Sequence, residues 1–172
     1  MLVGVISDTH DNVWAVRAAA RVFAEKGAEL VLHLGDVVAP FTLRAFAEAG
    51  VKRLIAVYGN NCGERVGLRR VAESLGYEIS DWPRYLELGG RRLVLIHGAG
   101  PTEDTVALAE ALAASGRWDV VLYGHTHRVD NRRLGDALVL NPGEACGCLT
   151  GRRTAALLDL DALKAEVFEI RL

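Results

Sequence analysis

The chain has 172 residues, a formal charge of -2 and 51% hydrophobic against 24% charged residues. This balance fills an ordinary core, which excludes intrinsic disorder, and the near-neutral charge excludes a dedicated nucleic-acid binder that lives on phosphate neutralisation. No run approaches the ~20 apolar residues of a membrane span, no signal peptide is visible, and three cysteines (Cys62, Cys146, Cys148) are too few for a disulfide framework, so the expectation is one cytoplasmic domain over residues 1–172.

Residues 2–7 form a near-continuous apolar run, as expected of a strand buried on both faces. Residues 13–26 have helical spacing, with Asp11 or Asn12 as the cap and Gly27 as the stop. Residues 29–34 read as a second strand. Pro40 opens a helix over residues 41–49, and Gly50 closes it. A third strand is expected over 51–58 and a helix over 64–75, ended by Gly76. Residues 77–80, 85–88 and 91–97 read as consecutive strands, the last two joined by a Gly89-Gly90 hairpin turn. Residues 102–115 form a helix whose first turn carries Glu103 and Asp104, which suit its positive end. Strands follow at 120–123, 129–134, 137–140, 154–159 and 164–171. There is no linker, repeat or low-complexity tract.

The placement of polar residues carries the functional signal. Five apolar runs end in Asp8-Thr9-His10, Gly35-Asp36, Gly59-Asn60, His97-Gly98 and Gly124-His125-Thr126-His127. Ligands of open α/β sheets collect at the carboxyl ends of strands. If these strands run the same way, Asp8, His10, Asp36, Asn60, His97, His125 and His127 converge on one crevice. Each motif alone is weak, but four of the five histidines fall in them. Two Asp, one Asn and four His, without thiolate, suit Mn, Fe, Zn, Co or Ni better than Mg or Ca. Seven ligands exceed one tetrahedral site and fit two ions sharing a carboxylate. Two divalent ions outweigh two aspartates, so such a site attracts a phosphate ester.

In this order, DTH, GD, GN, HG and GHTH resemble the signature blocks of the calcineurin-like metallophosphoesterases. The short chain and Asn141-Pro142-Gly143-Glu144 resemble their small bacterial and archaeal phosphodiesterase subgroup. The resemblance implies an α/β fold, a two-sheet β-sandwich flanked by helices in αββα layers. It implies one metal held by Asp8, His10 and His127, a second held by Asn60, His97 and His125, and Asp36 bridging. It further implies two divalent ions, manganese first and Ni, Co, Zn or Fe as alternatives. Hydrolysis of a small phosphodiester by a metal-bridging hydroxide would then depend on Asp36, Asn60 and His97. A homo-oligomer fits the subgroup. The alternative reading is a protein-binding scaffold on the same fold, since a eukaryotic retromer subunit also resembles this subgroup.

One block departs from the family pattern. Relatives often place His or Cys after the GN pair to assist the leaving group, whereas here Asn61 follows, then Cys62, Gly63 and Glu64. Asn61 cannot donate a proton as a general acid, although it can bind substrate; Glu64 is the candidate acid. Asn12 is a candidate substrate contact and equally a helix cap. His33 reads as a packed, hydrogen-bonded residue, residues 65–70 as a solvated helix face, and Trp14, Trp82 and Trp118 as packing residues. Cys146 and Cys148 read as ordinary thiols.

Overall fold

The computed structural model describes residues 1–172. Its elements in chain order are β1 (Leu2–Ile6), α1 (Val13–Glu25), β2 (Leu30–His33), α2 (Pro40–Glu48), β3 (Leu54–Val57), α3 (Arg65–Leu75), β4 (Glu78–Ser80), β5 (Arg84–Leu88), β6 (Arg91–Ile96), α4 (Thr102–Ala114), β7 (Val120–Tyr123), β8 (Val129–Leu134), β9 (Ala137–Pro142), β10 (Thr154–Asp159) and β11 (Lys164–Glu169). They build a six-stranded sheet ordered β11-β10-β1-β2-β3-β4 and a five-stranded sheet ordered β5-β6-β7-β9-β8.

Alternation along β1 shows how the layers form. Val3 and Val5 face the other sheet and join Leu95, Leu122 and Leu140 in the core between the sheets. Ile6 points the other way, into the core beneath α1, α2 and α3 with Ala15, Phe23, Leu43 and Leu68. A third core joins Val94, Val121 and Val139 to Ala109 and Ala113 of α4. The result is the αββα layering expected from the sequence.

Three helices end the same way. After α1, α2 and α3 the chain turns through Gly27, Gly50 and Gly76 at positive φ. The next residue donates back into the helix, as Val51 N does to Phe46 O at 3.0 Å. That bond keeps Val51 in the helix end, and the expected third strand starts at Leu54. The strand expected over 137–140 instead runs on to Pro142, pairing Asn141 with Asp130. Trp14 is a correction. It is 68% exposed, because α1 buries Ala15, Val16, Ala19, Ala20 and Phe23 and leaves Trp14 on its outer face. Trp82 and Trp118 do pack, Trp118 being stacked on Tyr85 with ring centroids 4.9 Å apart.

Within the first sheet β1, β2, β3 and β4 are parallel, and within the second β6, β7 and β9 are parallel. Their carboxyl ends therefore carry the polar motifs, and α1, α2, α3 and α4 each begin shortly after one of them. Gly4 lets α1 lie close on β1, since a Cβ there would fall 2.8 Å from the Phe23 ring. Gly4→Ala is expected to destabilise the chain by about 1–3 kcal/mol through overpacking, read as a lowered urea midpoint with unchanged slope.

Candidate metal centre

The seven side chains expected to meet do meet. Asp8 and His10 follow β1, Asp36 follows β2 and Asn60 follows β3; His97 follows β6, and His125 and His127 follow β7. Backbone bonds between these loops hold them together. Asp8 N donates to Gly35 O at 3.0 Å, and His10 N donates to Asp36 O at 3.1 Å. Asp8, His10, Asp36, His125 and His127 all have positive φ, between 39° and 70°. Non-glycine residues in that region cost about 1–3 kcal/mol each and persist where the surroundings over-determine them.

Asp36 lies at the middle. Its Oδ2 is 3.4 Å from His10 Nε2 and 3.4 Å from His97 Nε2. Asn61 holds this carboxylate from both ends, N to Oδ1 and Nδ2 to Oδ2, each at 2.8 Å. Burial would raise the Asp36 pKa, but the His97 and Asn61 hydrogen bonds hold it well below the usual carboxylate range. Burial would likewise depress His97, yet the Asp36 hydrogen bond and the Asp8 and Asp36 charges raise its pKa above the ordinary value.

The lone pairs point to cations. Asp8 is fully buried, and its Oδ2 accepts from Ser7 Oγ and from His125 N at 3.2 Å. Its Oδ1 is buried without any hydrogen-bond partner, as is His10 Nε2. Asp8 Oδ1 faces His127 Nε2 at 3.3 Å. Burial keeps the Asp8 pKa raised, ahead of the opposing His97 and His127 charges. On the other side His97 Nδ1 donates to Leu34 O at 2.6 Å, and His125 Nε2 donates to Gly100 O at 2.9 Å. Their remaining nitrogens both face Asn60 Oδ1, at 3.0 and 2.9 Å, and a cation placed between these atoms would take the place of a proton on His97 Nε2. Acceptors aimed at one another in a partly buried site call for positive charge between them. The donor set, carboxylate, amide oxygen and imidazole, fits divalent transition ions.

Glu144 was not among the residues expected at the site. It follows β9, is fully buried, and accepts from His127 Nδ1 at 2.6 Å. Burial would raise its pKa, but the bonds from His127, Thr150 and Leu149 pull it down to about 2. The signal was present: β9 is a sixth apolar run ending in a polar motif, Asn141-Pro142-Gly143-Glu144. Asn141 Nδ2 donates to Gly124 O at 3.1 Å and to Thr126 Oγ1 at 3.0 Å, bracing the His125–His127 loop. Cys146 is also nearer than expected, since its thiol lies within 4.8 Å of ring nitrogens of His10 and His127.

Asn12 Oδ1 accepts from Ala15 N at 3.1 Å, the cap role, and its Nδ2 donates to Cys146 O at 3.0 Å. Glu64 lies back against Gly67 in the first turn of α3. Residues 65–70 leave Arg69 and Arg70 exposed, and Arg65 pairs with Asp81 at 2.7 Å. His33 is fully buried, with Gly35 N donating to its Nδ1 at 3.2 Å and its Nε2 3.1 Å from Thr9 Oγ1.

Burial, aided by the positive charge of His97, lowers the His33 pKa from 6.5 to about 3. Between these values the unfolded chain binds the proton and the folded chain does not. Stability from this residue is therefore complete above pH 6.5 and is lost as pH falls toward 3, at up to about 1.4 kcal/mol per pH unit. His33→Asn is expected to lack this acid-side component when urea midpoints of the two proteins are compared across that range.

Comparison with known proteins identifies the family. A family model described as the calcineurin-like phosphoesterase superfamily domain matches residues 1–163. Phosphodiesterase MJ0936 of Methanocaldococcus jannaschii is 38% identical over 171 residues, covering 99% of this chain and 98% of that protein. Phosphodiesterase YfcE of Escherichia coli K12 is 30% identical over 151 residues, covering 80% of this chain and 75% of that one. A solved archaeal phosphodiesterase structure superimposes with a TM-score of 0.89 at 34% identity, covering 98% and 99% of the two chains. Vps29 of Chaetomium thermophilum, with a TM-score of 0.67 at 18% identity and 98% and 92% coverage, shares the fold. With its six strand ends gathered at one edge and its full-length relatives, the chain belongs to the calcineurin-like phosphoesterase superfamily.

Proposed function

We propose that the chain, acting as one domain, is a dinuclear metal-dependent phosphodiesterase. The observation that carries this reading is Asp36 Oδ2 midway between His10 and His97, each at 3.4 Å, with buried unpartnered Asp8 Oδ1 and His10 Nε2 beside it. Asp8, His10 and His127 would hold one ion, Asn60, His97 and His125 the other, and Asp36 would serve both. Two divalent ions, when bound, supply Lewis-acid activation of water and neutralisation of phosphoryl charge.

The chain's own residues set the terms. The imidazoles and Asn60 bind as neutral ligands, so the charges of Asp8, Asp36 and Glu144 leave the loaded centre net positive. The four helices each start shortly after one of these strand ends, where their amide ends would favour an anionic substrate. Asn61 orients Asp36 through both carboxylate oxygens. No spare imidazole stands ready as a general acid, because His33 is sealed in the core and uncharged at neutral pH. Esters with good leaving groups are therefore the favoured substrates. The diester preference rests on the full-length resemblance to MJ0936, named a phosphodiesterase, and on Asn61 in place of a proton donor. Manganese in a cytoplasmic setting is the first condition to test; no helix is long and apolar enough to cross a membrane. Convergence of all seven donors favours the enzyme over a scaffold.

Chelator-stripped protein given Mn²⁺ is expected to hydrolyse bis-p-nitrophenyl phosphate with higher kcat/KM than p-nitrophenyl phosphate. Asp36→Asn and His97→Ala are expected to lower that kcat/KM by about 10²-fold or more. Monoester preference would overturn the diester assignment, and turnover independent of added metal would overturn the metal-dependent reading.

A further inference from the structure

The fully buried carboxylate of Glu144 accepts hydrogen bonds from four neighbouring residues at once. One oxygen, Oε1, accepts from Thr150 N at 2.6 Å, Thr150 Oγ1 at 2.7 Å and Leu149 N at 3.1 Å, fixing the loop after β9. The other, Oε2, accepts from His127 Nδ1 at 2.6 Å, from Cys146 Sγ at 3.2 Å and, shared with Oε1, from Leu149 N at 3.1 Å. With its Nδ1 proton given to a carboxylate, neutral His127 presents a lone pair on Nε2, aimed at unpartnered Asp8 Oδ1. His97 and His125 differ, since they donate to the neutral carbonyls of Leu34 and Gly100. A carboxylate partner makes an imidazole a more basic ligand than a carbonyl partner does.

We propose that Glu144 is a positioning residue that fixes the His127 tautomer and makes the Asp8–His10–His127 position the tighter of two metal positions. The inference rests on the two-metal reading above. Asp8 and Glu144 put two fully buried carboxylates on that side, whereas Asn60 on the other side is neutral. The two ions therefore load in order, and the order follows from the far-nitrogen partners of His127, His97 and His125.

The test is calorimetric titration of the chelator-stripped full chain with Mn²⁺. Wild type is expected to bind in two steps. Glu144→Gln keeps the size and can still accept from Thr150 while turning an N–H toward His127, which inverts the tautomer. It is expected to weaken the tighter step by about 10- to 100-fold and to spare the weaker one. Thr150→Val loosens the same loop without touching His127, and should lower stability while leaving both steps in place. In a His127→Ala background, Glu144→Gln should add no further loss. Nitrogen NMR of metal-free wild type in alkaline buffer reads the tautomer without any variant, and should show His127 protonated on Nδ1. Unchanged Mn²⁺ affinity in Glu144→Gln, or an Nε2-protonated His127, would overturn the role of Glu144. Wild type that binds no Mn²⁺ yet shows the Nδ1 tautomer would overturn the two-metal reading instead.

Discussion

Five donor residues hold the left-handed backbone region without being glycine, and two buried polar atoms beside them have no partner. Both features are unfavourable taken alone, at a cost of the order of 1–3 kcal/mol each. The fold tolerates them because every loop involved is tied to a neighbouring loop. Ala145 N and Cys146 N donate to Ser7 O and Asp8 O at 3.0 and 3.1 Å, and Thr9 Oγ1 donates to Asp36 O at 3.2 Å. The sandwich beneath supplies the rigidity: parallel strands in both sheets end at the same edge, and their hydrophobic residues are buried on both faces. Removing that support would leave seven donors on loops with no reason to stay close.

The glycines of the motifs belong to the same constraint. Gly59 has no positive φ, yet a Cβ there would lie 2.1 Å from Asp36 Oδ1. A Cβ on Gly35 would lie 2.2 Å from His97 Nδ1, and one on Gly124 would lie 2.2 Å from Ser7 Oγ. These positions are small because the donors of one loop pass directly over the backbone of the next. The GD, GN and GH pairs are thus a packing requirement of a dense polar cluster, in addition to any freedom of the turn.

Most of the architecture was legible in the sequence, because continuous apolar runs and helical spacing separate cleanly here. That seven polar side chains would gather at one edge was legible because they fall at the ends of those runs. The exceptions have physical causes. Residues 51–53 read as strand by their apolar start, but Val51 is held by the helix-ending bond and the strand starts at Leu54. Trp14 read as a packing residue by its type, and only the phase of α1 shows that it faces out. Glu144 escaped because an acid after Pro-Gly looks like an ordinary turn, and its pairing with His127 crosses between strand ends that lie seventeen positions apart. The left-handed donors were invisible, since Asp and His carry no signal for that conformation as strong as glycine's.

The proposed work of these loops is to hold two cations, with Asp36 serving both. Anomalous diffraction from crystals of the full chain grown with Mn²⁺ tests it most directly. Two anomalous peaks are expected, one against Asp8, His10 and His127 and one against Asn60, His97 and His125, with the Asp36 carboxylate contacting both. A single peak, or two peaks that leave Asp36 without contact to either, would contradict it.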